Sequence, residues 1–282
     1  MGRTKLHDIK YKSGYDSIIN KESSKLVNLG FSTICVEANG TYEFEVKGQE
    51  MALVLQKGDF TASVNYQGAV VLENIGGTRQ DCFEEGPTSI YLPPTSKITI
   101  TSKEGVEFRI FTSPCQEGNA PYFCPPTDIE EGQPGAQMWK RKYRFIFGPE
   151  GKHNGSITKK LIVGESVSVP GGWVGFPGHR HDFDRKGEEY PLEEIFSIRV
   201  KGPEEGPGTV FCYSTDVEEG KRWNEFFVLE DDHNAISLPV GFHTSFAAPA
   251  CMEYLLWGLA GEEKVYKVQF DERYTELPDA LY

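Results

Sequence analysis

Frequent glycine and proline residues divide this chain into short apolar runs, and this feature most limits how it can fold. The 282 residues include 30 Gly and 17 Pro, and hydrophobic residues make up 38% of the chain. The runs between these breaks, such as TYEFEV, ALVLQ, KITITS and EFRIFTS, are rich in β-branched and aromatic residues. Such runs favour short strands over long helices. We therefore predict an all-β protein with few short helices.

One segment rich in proline, glycine and acidic residues separates the two halves of the chain. Residues 115–135, CQEGNAPYFCPPTDIEEGQPG, lack periodic hydrophobic residues. A segment of this composition is typical of a connection between two folded units. We predict an N-terminal barrel over residues 1–120 and a C-terminal barrel over residues 136–282.

The two halves resemble each other in sequence. QEMALVLQKG in the first half aligns with EEIFSIRVKG in the second. In each, a glutamate begins an apolar strand and a glycine follows eight residues later, Glu50 to Gly58 and Glu194 to Gly202. This agreement predicts a duplicated β-barrel unit. Chance agreement between two generic strand–turn patterns is the alternative.

Charge and composition exclude several classes of partner. The formal net charge is −13 and the isoelectric point is about 5.0, which argues against nucleic acid or an anionic membrane as partner. No run approaches the roughly 20 apolar residues of a membrane span, and the N-terminus lacks the apolar region of a signal peptide. The six cysteines form no C-x-x-C pair, as expected for reduced thiols. We expect a cytoplasmic protein.

Three histidines in the second half have a spacing that favours metal binding. His179 and His181 lie two residues apart in GFPGHRHD, and His243 follows in LPVGFH. On a β-strand, residues two apart point to the same face. The two imidazoles of GFPGHRHD are therefore expected to form half of a metal site.

A carboxylate between these histidines is the fourth candidate ligand. The acidic residues that follow the histidine pair are Asp182, Asp184, Glu188, Glu189, Glu193 and Glu194. We choose Glu194 because it opens the apolar strand 195–200 and matches Glu50 in the internal alignment. Glu193 is expected to point to the opposite face and to be solvated. Imidazole and carboxylate together suit Zn²⁺, Fe²⁺ or Mn²⁺.

The order of these motifs resembles the cupin pattern of H-x-H, then Glu, then P-x-G-x-H. The stretches LIVGESVSVPGGWVGFPGHRHD, LEEIF, LPVGFH and YLLWGLAG are similar to the bacterial 5-deoxy-glucuronate isomerases of myo-inositol breakdown. This resemblance implies two tandem cupin-type barrels, the first without metal ligands. It also implies that His179, His181, Glu194 and His243 hold a divalent metal, with zinc as first candidate and manganese or iron as alternatives. Gly172 departs from the family pattern, which has asparagine there.

The resemblance further implies conversion of 5-deoxy-glucuronate, a small anionic sugar acid, to 5-dehydro-2-deoxy-gluconate. A metal suits this aldose–ketose isomerisation because it stabilises the negative charge of an enediolate. Tyr213 is a candidate base, beside a metal-bound hydroxide or a nearby carboxylate. The substrate carboxylate needs a cation. The candidates are Arg180, Arg199 and Arg222, of which we take Arg199 first.

Other functions are compatible with the same motifs. A related uronate ketol-isomerase, an iron-dependent cupin oxygenase and a non-catalytic sugar-binding bicupin are the alternatives. Trp173 and Trp257 are expected to fill the core rather than stack on sugar. A homo-oligomer is expected from the resemblance alone.

Overall fold

A computed structural model of the chain describes residues 4–152, 154–218 and 220–274. These residues form 21 strands, and their only helices are four 3₁₀ turns, Pro126–Asp128, Gln137–Trp139, Pro203–Glu205 and Glu272–Tyr274. The prediction of an all-β fold with few short helices is therefore confirmed. No helix in this described part is long and apolar enough to cross a membrane.

The strands of the first half alternate with tight turns, as the glycine and proline spacing predicts. They are β1 (Lys5–Asp8), β2 (Gly14–Ile19), β3 (Gly30–Val36), β4 (Thr41–Glu45), β5 (Gln49–Tyr66), β6 (Ala69–Arg79), β7 (Ser89–Leu92), β8 (Lys97–Thr101), β9 (Val106–Pro114) and β10 (Tyr122–Cys124). Strands β2 to β10 form one nine-stranded sheet. The long strand β5 closes this sheet into a barrel, because its first part pairs with β7 and β9 and its second part with β6 and β8.

The second half forms two sheets that face each other. Its strands are β11 (Glu130–Gly132), β12 (Arg141–Phe147), β13 (Ile162–Ser168), β14 (Trp173–Arg180), β15 (Glu193–Lys201), β16 (Val210–Glu218), β17 (Lys221–Leu229), β18 (Asn234–Leu238), β19 (Phe242–Ala247), β20 (Met252–Ala260) and β21 (Gln269–Phe270). One sheet has the order β1-β18-β15-β20-β13-β12-β11, and the other has the order β17-β16-β19-β14-β21.

The hydrophobic residues divide into three buried clusters, one inside each barrel and one between the barrels. On β5, Met51 and Leu53 point into the N-terminal barrel, whereas Ala52 and Val54 face the C-terminal unit. This strand is buried on both faces, which explains why its sequence is an unbroken apolar run rather than an alternating one. The two barrels therefore pack sheet against sheet.

A buried ion-pair network crosses the interface between the barrels. Glu165 on β13 lies 2.8 Å from a guanidinium nitrogen of Arg79 and 2.6 Å from one of Arg144. The hydroxyl of Tyr254 donates a third hydrogen bond to Glu165, at 2.7 Å. All four side chains are buried. Two arginines and a tyrosine thus satisfy this carboxylate, and its pair with Arg79 joins the two barrels.

One glutamate from each barrel also accepts hydrogen bonds from the backbone of the other barrel. Glu50 accepts hydrogen bonds at 2.7–3.0 Å from the N–H groups of residues 159–161. Glu193 accepts hydrogen bonds at 2.7–3.0 Å from the N–H groups of residues 27–29. In both cases the three N–H groups directly precede a strand of the opposite sheet. The expectation that Glu193 is solvated is therefore wrong, since its carboxylate is used in this reciprocal contact.

The reciprocal contact also corrects the internal alignment by one residue. Glu50 and Glu193 both leave their strands on the interface face, so they are structural counterparts. Met51 points into the first barrel and Glu194 points into the second. The counterpart of Glu194 is consequently Met51, not Glu50. An apolar side chain thus stands in the first barrel where the second has a candidate ligand.

The strands do not follow the predicted boundaries throughout. The first strand, β1, pairs with β18 of the C-terminal unit, with Lys5 opposite Ser237. This strand therefore lies outside the barrel of its own half, although the predicted first unit began at residue 1. The predicted connection contains the short strands β10 and β11. The outer ends of the predicted units, residues 1 and 282, lie outside the described residues.

Candidate metal centre

Four buried side chains converge inside the C-terminal barrel. The potential ligand atoms of His179, His181, Glu194 and His243 all lie within 4.8 Å of one another. His179 lies on β14, Glu194 on β15 and His243 on β19, and His181 directly follows β14. His179 and His243 are paired across adjacent strands. The structure therefore brings together the four residues chosen from the sequence, and their binding of a metal stays a prediction.

The backbone orients all three imidazole rings. In each histidine, Nδ1 lies near a backbone carbonyl oxygen: 3.2 Å from Gly175 for His179, 2.6 Å from Leu192 for His181 and 2.8 Å from Gly241 for His243. A carbonyl oxygen only accepts hydrogen bonds, so each Nδ1 carries the proton. Each Nε2 then offers its lone pair to the centre of the cluster, as ligating histidines do.

The carboxylate of Glu194 makes the centre suitable for a cation. Its Oε2 lies 2.9 Å from Nε2 of His181 and 2.8 Å from Nε2 of His243. Burial alone would raise the pKa of Glu194, but hydrogen bonds from these two histidines, which form when Nε2 is protonated in place of a bound cation, lower it below its usual range. Burial, and then the neighbouring imidazole of His243, lower the pKa of His179 to about 3, so this ring stays neutral. Three neutral-tautomer nitrogens and one carboxylate fit Zn²⁺, Mn²⁺ or Fe²⁺.

A glycine allows β14 to present its histidines. Gly175 has a φ of +69°, a left-handed conformation that residues with a Cβ rarely adopt. The pairing of β14 with β19 shifts register between Val174 and His179, which includes this glycine. The resulting bulge directs the Gly175 carbonyl towards Nδ1 of His179. The local sequence thus positions both the ligand and the group that orients it.

Two acidic residues that we had not chosen as ligands hold the surrounding loops. Glu189 is fully buried and accepts hydrogen bonds from the N–H groups of Asp182 and Phe183, at 2.7 and 3.2 Å. The carboxylate of Asp182 accepts a hydrogen bond from the N–H of Gly241, at 2.8 Å. These contacts connect the end of β14 with the turn before β19. They therefore hold the two segments that carry His181 and His243.

A cavity of about 320 Å³ opens from the cluster, and His179 and Glu194 form part of its lining. Its other lining residues are Pro134, Arg141, Tyr143, Ser166, Val174, Gly175, Phe176, Phe196, Leu255, Trp257, Leu259, Tyr266, Val268 and Phe270. The volume lies in the range of small-molecule sites. A larger, open groove of about 740 Å³ near residues 21–27 contains none of the cluster residues. We therefore place the chemistry in the smaller cavity.

The two tryptophans singled out from the sequence have different positions. Trp257 forms part of the cavity wall, where its ring stacks on Tyr143 with the centroids 5.6 Å apart. Its indole N–H donates a hydrogen bond to the hydroxyl of Ser166, at 3.3 Å. Trp173 does not line the cavity and stacks on Phe246 with the centroids 4.4 Å apart. Trp257 is thus both a core residue and available to a ligand.

The structure does not bring Tyr213 into this cavity. On β16, Ser214 lies opposite His243, and Tyr213 lies opposite Thr244. Neighbouring residues of a strand point to opposite faces, so Tyr213 leaves the sheet on the side away from the cluster. Burial, followed by the nearby Tyr274, raises the pKa of Tyr213. Its selection as a base is corrected by this placement.

The three arginines chosen from the sequence also lie outside the cavity. Arg199 projects from the interface face of β15 and pairs with Glu107 at 2.5 Å and Asp232 at 2.6 Å. It is five residues from Glu194 and therefore on the opposite face. Arg180 pairs with Asp216 at 3.2 Å. The side chain of the third, Arg222, is exposed. The selection of Arg199 for the substrate is corrected, because its charge is already paired at the interface.

The cation that does line the cavity, Arg141, was missed in the sequence. It begins β12, where Arg141, Tyr143 and Phe145 alternate on one face. This alternation is the signal in the sequence: if Tyr143 and Phe145 face the barrel interior, Arg141 faces it too. It was masked by the dense basic run KRKYR, which reads as a solvated segment.

The chain is similar to known proteins over nearly its whole length. A model of the KduI/IolB family matches residues 6–277. The 5-deoxy-glucuronate isomerase of Geobacillus kaustophilus is 27% identical over 254 residues, which cover 90% of this chain and 87% of the relative. The 5-deoxy-glucuronate isomerase of Bacillus subtilis strain 168 is 25% identical, with 90% and 89% covered. These names confirm the prediction of an enzyme of the isomerase class.

Solved structures agree with the fold. An IolB-like protein from Salmonella typhimurium LT2 has a TM-score of 0.80 at 21% identity and covers 96% of this chain and 97% of its own. The oxalate decarboxylase of Lactobacillus farciminis has a TM-score of 0.62 at 8% identity, with 97% and 90% covered. At these identities the likeness concerns the fold, and it confirms the tandem cupin-type barrels. From the match over nearly its whole length, the chain belongs to the KduI/IolB family.

Proposed function

We propose that this chain is a metal-dependent aldose–ketose isomerase that converts 5-deoxy-glucuronate to 5-dehydro-2-deoxy-gluconate in inositol breakdown. The observation that carries the proposal is the cluster of three histidines and Glu194 at one cavity, in a family whose relatives are named for this reaction. Zinc is our first candidate for the metal, with manganese and iron as alternatives. A cytoplasmic location and assembly into a homo-oligomer stay predictions.

The proposed ligands divide the work of holding a cation. Glu194 would supply the negative charge, and Nε2 of His179, His181 and His243 would supply neutral donors. When bound, the metal would act as a Lewis acid that stabilises negative charge on the carbonyl and hydroxyl oxygens of the substrate. The reaction moves one hydrogen between adjacent carbons and one proton between their oxygens, so it needs no external oxidant.

Two tyrosines are suited to orient the substrate oxygens. The hydroxyls of Tyr143 and Tyr266 belong to residues of the cavity wall and hydrogen-bond to no protein group in the described ranges. Burial raises the pKa of both, and the charge of Glu194 adds to this effect. Both therefore stay protonated at neutral pH and can donate hydrogen bonds to substrate oxygens. The ring of Trp257 and its aromatic neighbours limit access of water to the reacting carbons.

The proposal is tested by metal content and turnover measured on the same samples. Purified protein should contain about one divalent metal per chain and should isomerise the uronic acid without oxygen. His243→Ala should lose most of the metal and at least about 1,000-fold in kcat, since one ligand in four is absent. His233→Ala is the control, because His233 is exposed and outside the cluster. Full metal content in His243→Ala, or turnover that requires oxygen, would contradict the proposal.

A further inference from the structure

Arg141 lies in the cavity of the candidate metal centre, and none of the described carboxylates pairs with it. Its side chain is partly buried, and its guanidinium makes one protein hydrogen bond, from NH1 to the backbone oxygen of Trp139 at 3.3 Å. Within the described ranges no carboxylate lies at ion-pair distance from it. The buried or nearly buried arginines elsewhere are paired with acids: Arg79, Arg109, Arg144 and Arg199. Arg141 is therefore an exception that needs an explanation.

The described residues around Arg141 offer no other compensation for its charge. Burial lowers its pKa, and the titratable groups that oppose this shift are Tyr266 and Tyr143, which are neutral when protonated. Removing an arginine from water is costly unless an anion accepts its hydrogen bonds. Since none of the described residues supplies that anion, a bound ligand is the source that we consider. The planar guanidinium has the geometry that binds a carboxylate through two parallel hydrogen bonds.

Arg141 and Glu194 of the metal cluster lie at opposite ends of the sheet that forms one wall of the cavity. Arg141 lies opposite Ser168, at the last residue of β13. Glu194 shares a row with Leu259, and Leu259 lies opposite Ile162 at the first residue of β13. Both Arg141 and Glu194 nevertheless line the one cavity. A ligand that reached both would need its anionic group and its metal-binding oxygens at opposite ends.

We infer that Arg141 binds the carboxylate of the substrate and makes the site selective for monocarboxylate sugars whose carbonyl lies at the other end of the chain. This inference rests on the proposed function, because a uronic acid has its carboxylate and its aldehyde at opposite ends. The aldehyde and its neighbouring hydroxyl then lie towards the metal cluster. Tyr143 and Tyr266 lie along the wall between, where the substrate hydroxyls pass. A neutral sugar leaves Arg141 unpaired and is discriminated against.

The test compares Arg141→Met with Arg222→Met. Arg222 is the matched control because it is exposed on β17, lies outside the cavity and hydrogen-bonds to the hydroxyl of Thr215, at 3.4 Å. Kinetics are measured with the uronic acid and with the counterpart that has an alcohol in place of its carboxylate. Arg141→Met should raise KM for the acid by about 10- to 100-fold, the loss expected for a charge-assisted pair. It should leave metal content and KM for the neutral counterpart within about threefold of wild type, and Arg141→Lys should recover part of the loss.

Direct binding separates this inference from the proposed function. Affinity for glucuronate is measured by calorimetry on metal-loaded wild type, on Arg141→Met and on Arg222→Met. If wild type turns over no uronic acid but binds glucuronate, and Arg141→Met does not, the inference holds and the proposed reaction fails. If wild type isomerises the acid and Arg141→Met keeps its KM and its preference over the neutral sugar, the inference is overturned. An equal loss for both substrates would also overturn it, since that result indicates a structural role.

Discussion

Replacing Glu253 with glutamine should prevent the loss of folding stability that ionisation of this buried residue causes at high pH. Glu253 lies on β20 and is fully buried. Its Oε1 accepts a hydrogen bond from the hydroxyl of Ser245 at 2.6 Å, whereas its Oε2 is buried without a partner among the described residues. Burial raises the pKa of this carboxyl to about 8, although the Ser245 hydrogen bond opposes the shift. The native protein therefore holds Glu253 as a neutral acid at neutral pH.

The sign of the effect follows from proton binding. Unfolding returns the carboxyl to a pKa of about 4.5, so the native state binds the extra proton between pH 4.5 and about 8. Stability from this group is complete below pH 4.5 and is lost as pH rises through 8. One pH unit between the two pKa values corresponds to about 1.4 kcal/mol. The total loss from pH 4.5 to pH 9 is therefore about 4 to 5 kcal/mol.

Glu253→Gln keeps the shape of the side chain but cannot ionise. Its free energy of unfolding should be within about 1 kcal/mol of wild type at pH 5 and should exceed wild type by several kcal/mol at pH 9. Urea unfolding at pH 5, 7 and 9 measures both, with Glu73→Gln as the control because Glu73 is exposed. A difference between Glu253→Gln and wild type that stays constant across this pH range would refute a neutral buried Glu253.

Three further outcomes follow from the same contacts. Glu193→Ala should lower the free energy of unfolding by about 1 to 3 kcal/mol in urea, because the N–H groups of residues 27–29 lose their acceptor, yet metal content should stay unchanged. Glu194→Gln should instead lose the metal by elemental analysis, because its carboxylate belongs to the candidate ligand cluster; equal metal contents of the two variants would contradict the assignment of their faces. Glu165→Gln should cost about 3 to 5 kcal/mol, because Arg79 stays buried without its carboxylate partner and Arg144 keeps only Glu131; a calorimetric Tm equal to wild type would contradict this.

Much of the candidate site follows from local rules that act within one strand. His179 and His181 share a face because side chains alternate along β14, and Glu194 separates from Glu193 for the same reason. The choice of Glu194 was correct in position, but one of the two reasons for it, the match with Glu50, was wrong. The alignment could not resolve a shift of one residue, because β5 and β15 are both apolar on two faces.

The position of each arginine required the tertiary structure. Arg199 and Arg141 both lie on strands of the same sheet, and the sequence does not tell which face of a doubly buried strand meets the other barrel. At the contact between the barrels, Arg199 forms an ion pair with Glu107, a residue that is distant in the sequence. By contrast, no carboxylate of the described residues pairs with Arg141 in the cavity.

The sequence alone determined the all-β class, the two-barrel division and the identity of the four converging side chains, because strand breaks and alternation are local properties of the chain. Only the tertiary structure decided that β1 joins the second unit and that Arg141 rather than Arg199 lines the cavity. It also decided that Glu50 and Glu193 each accept hydrogen bonds from the backbone of the other barrel. These features depend on how two sheets face each other. Contacts between sheets join residues that are distant in sequence, and no local pattern specifies them.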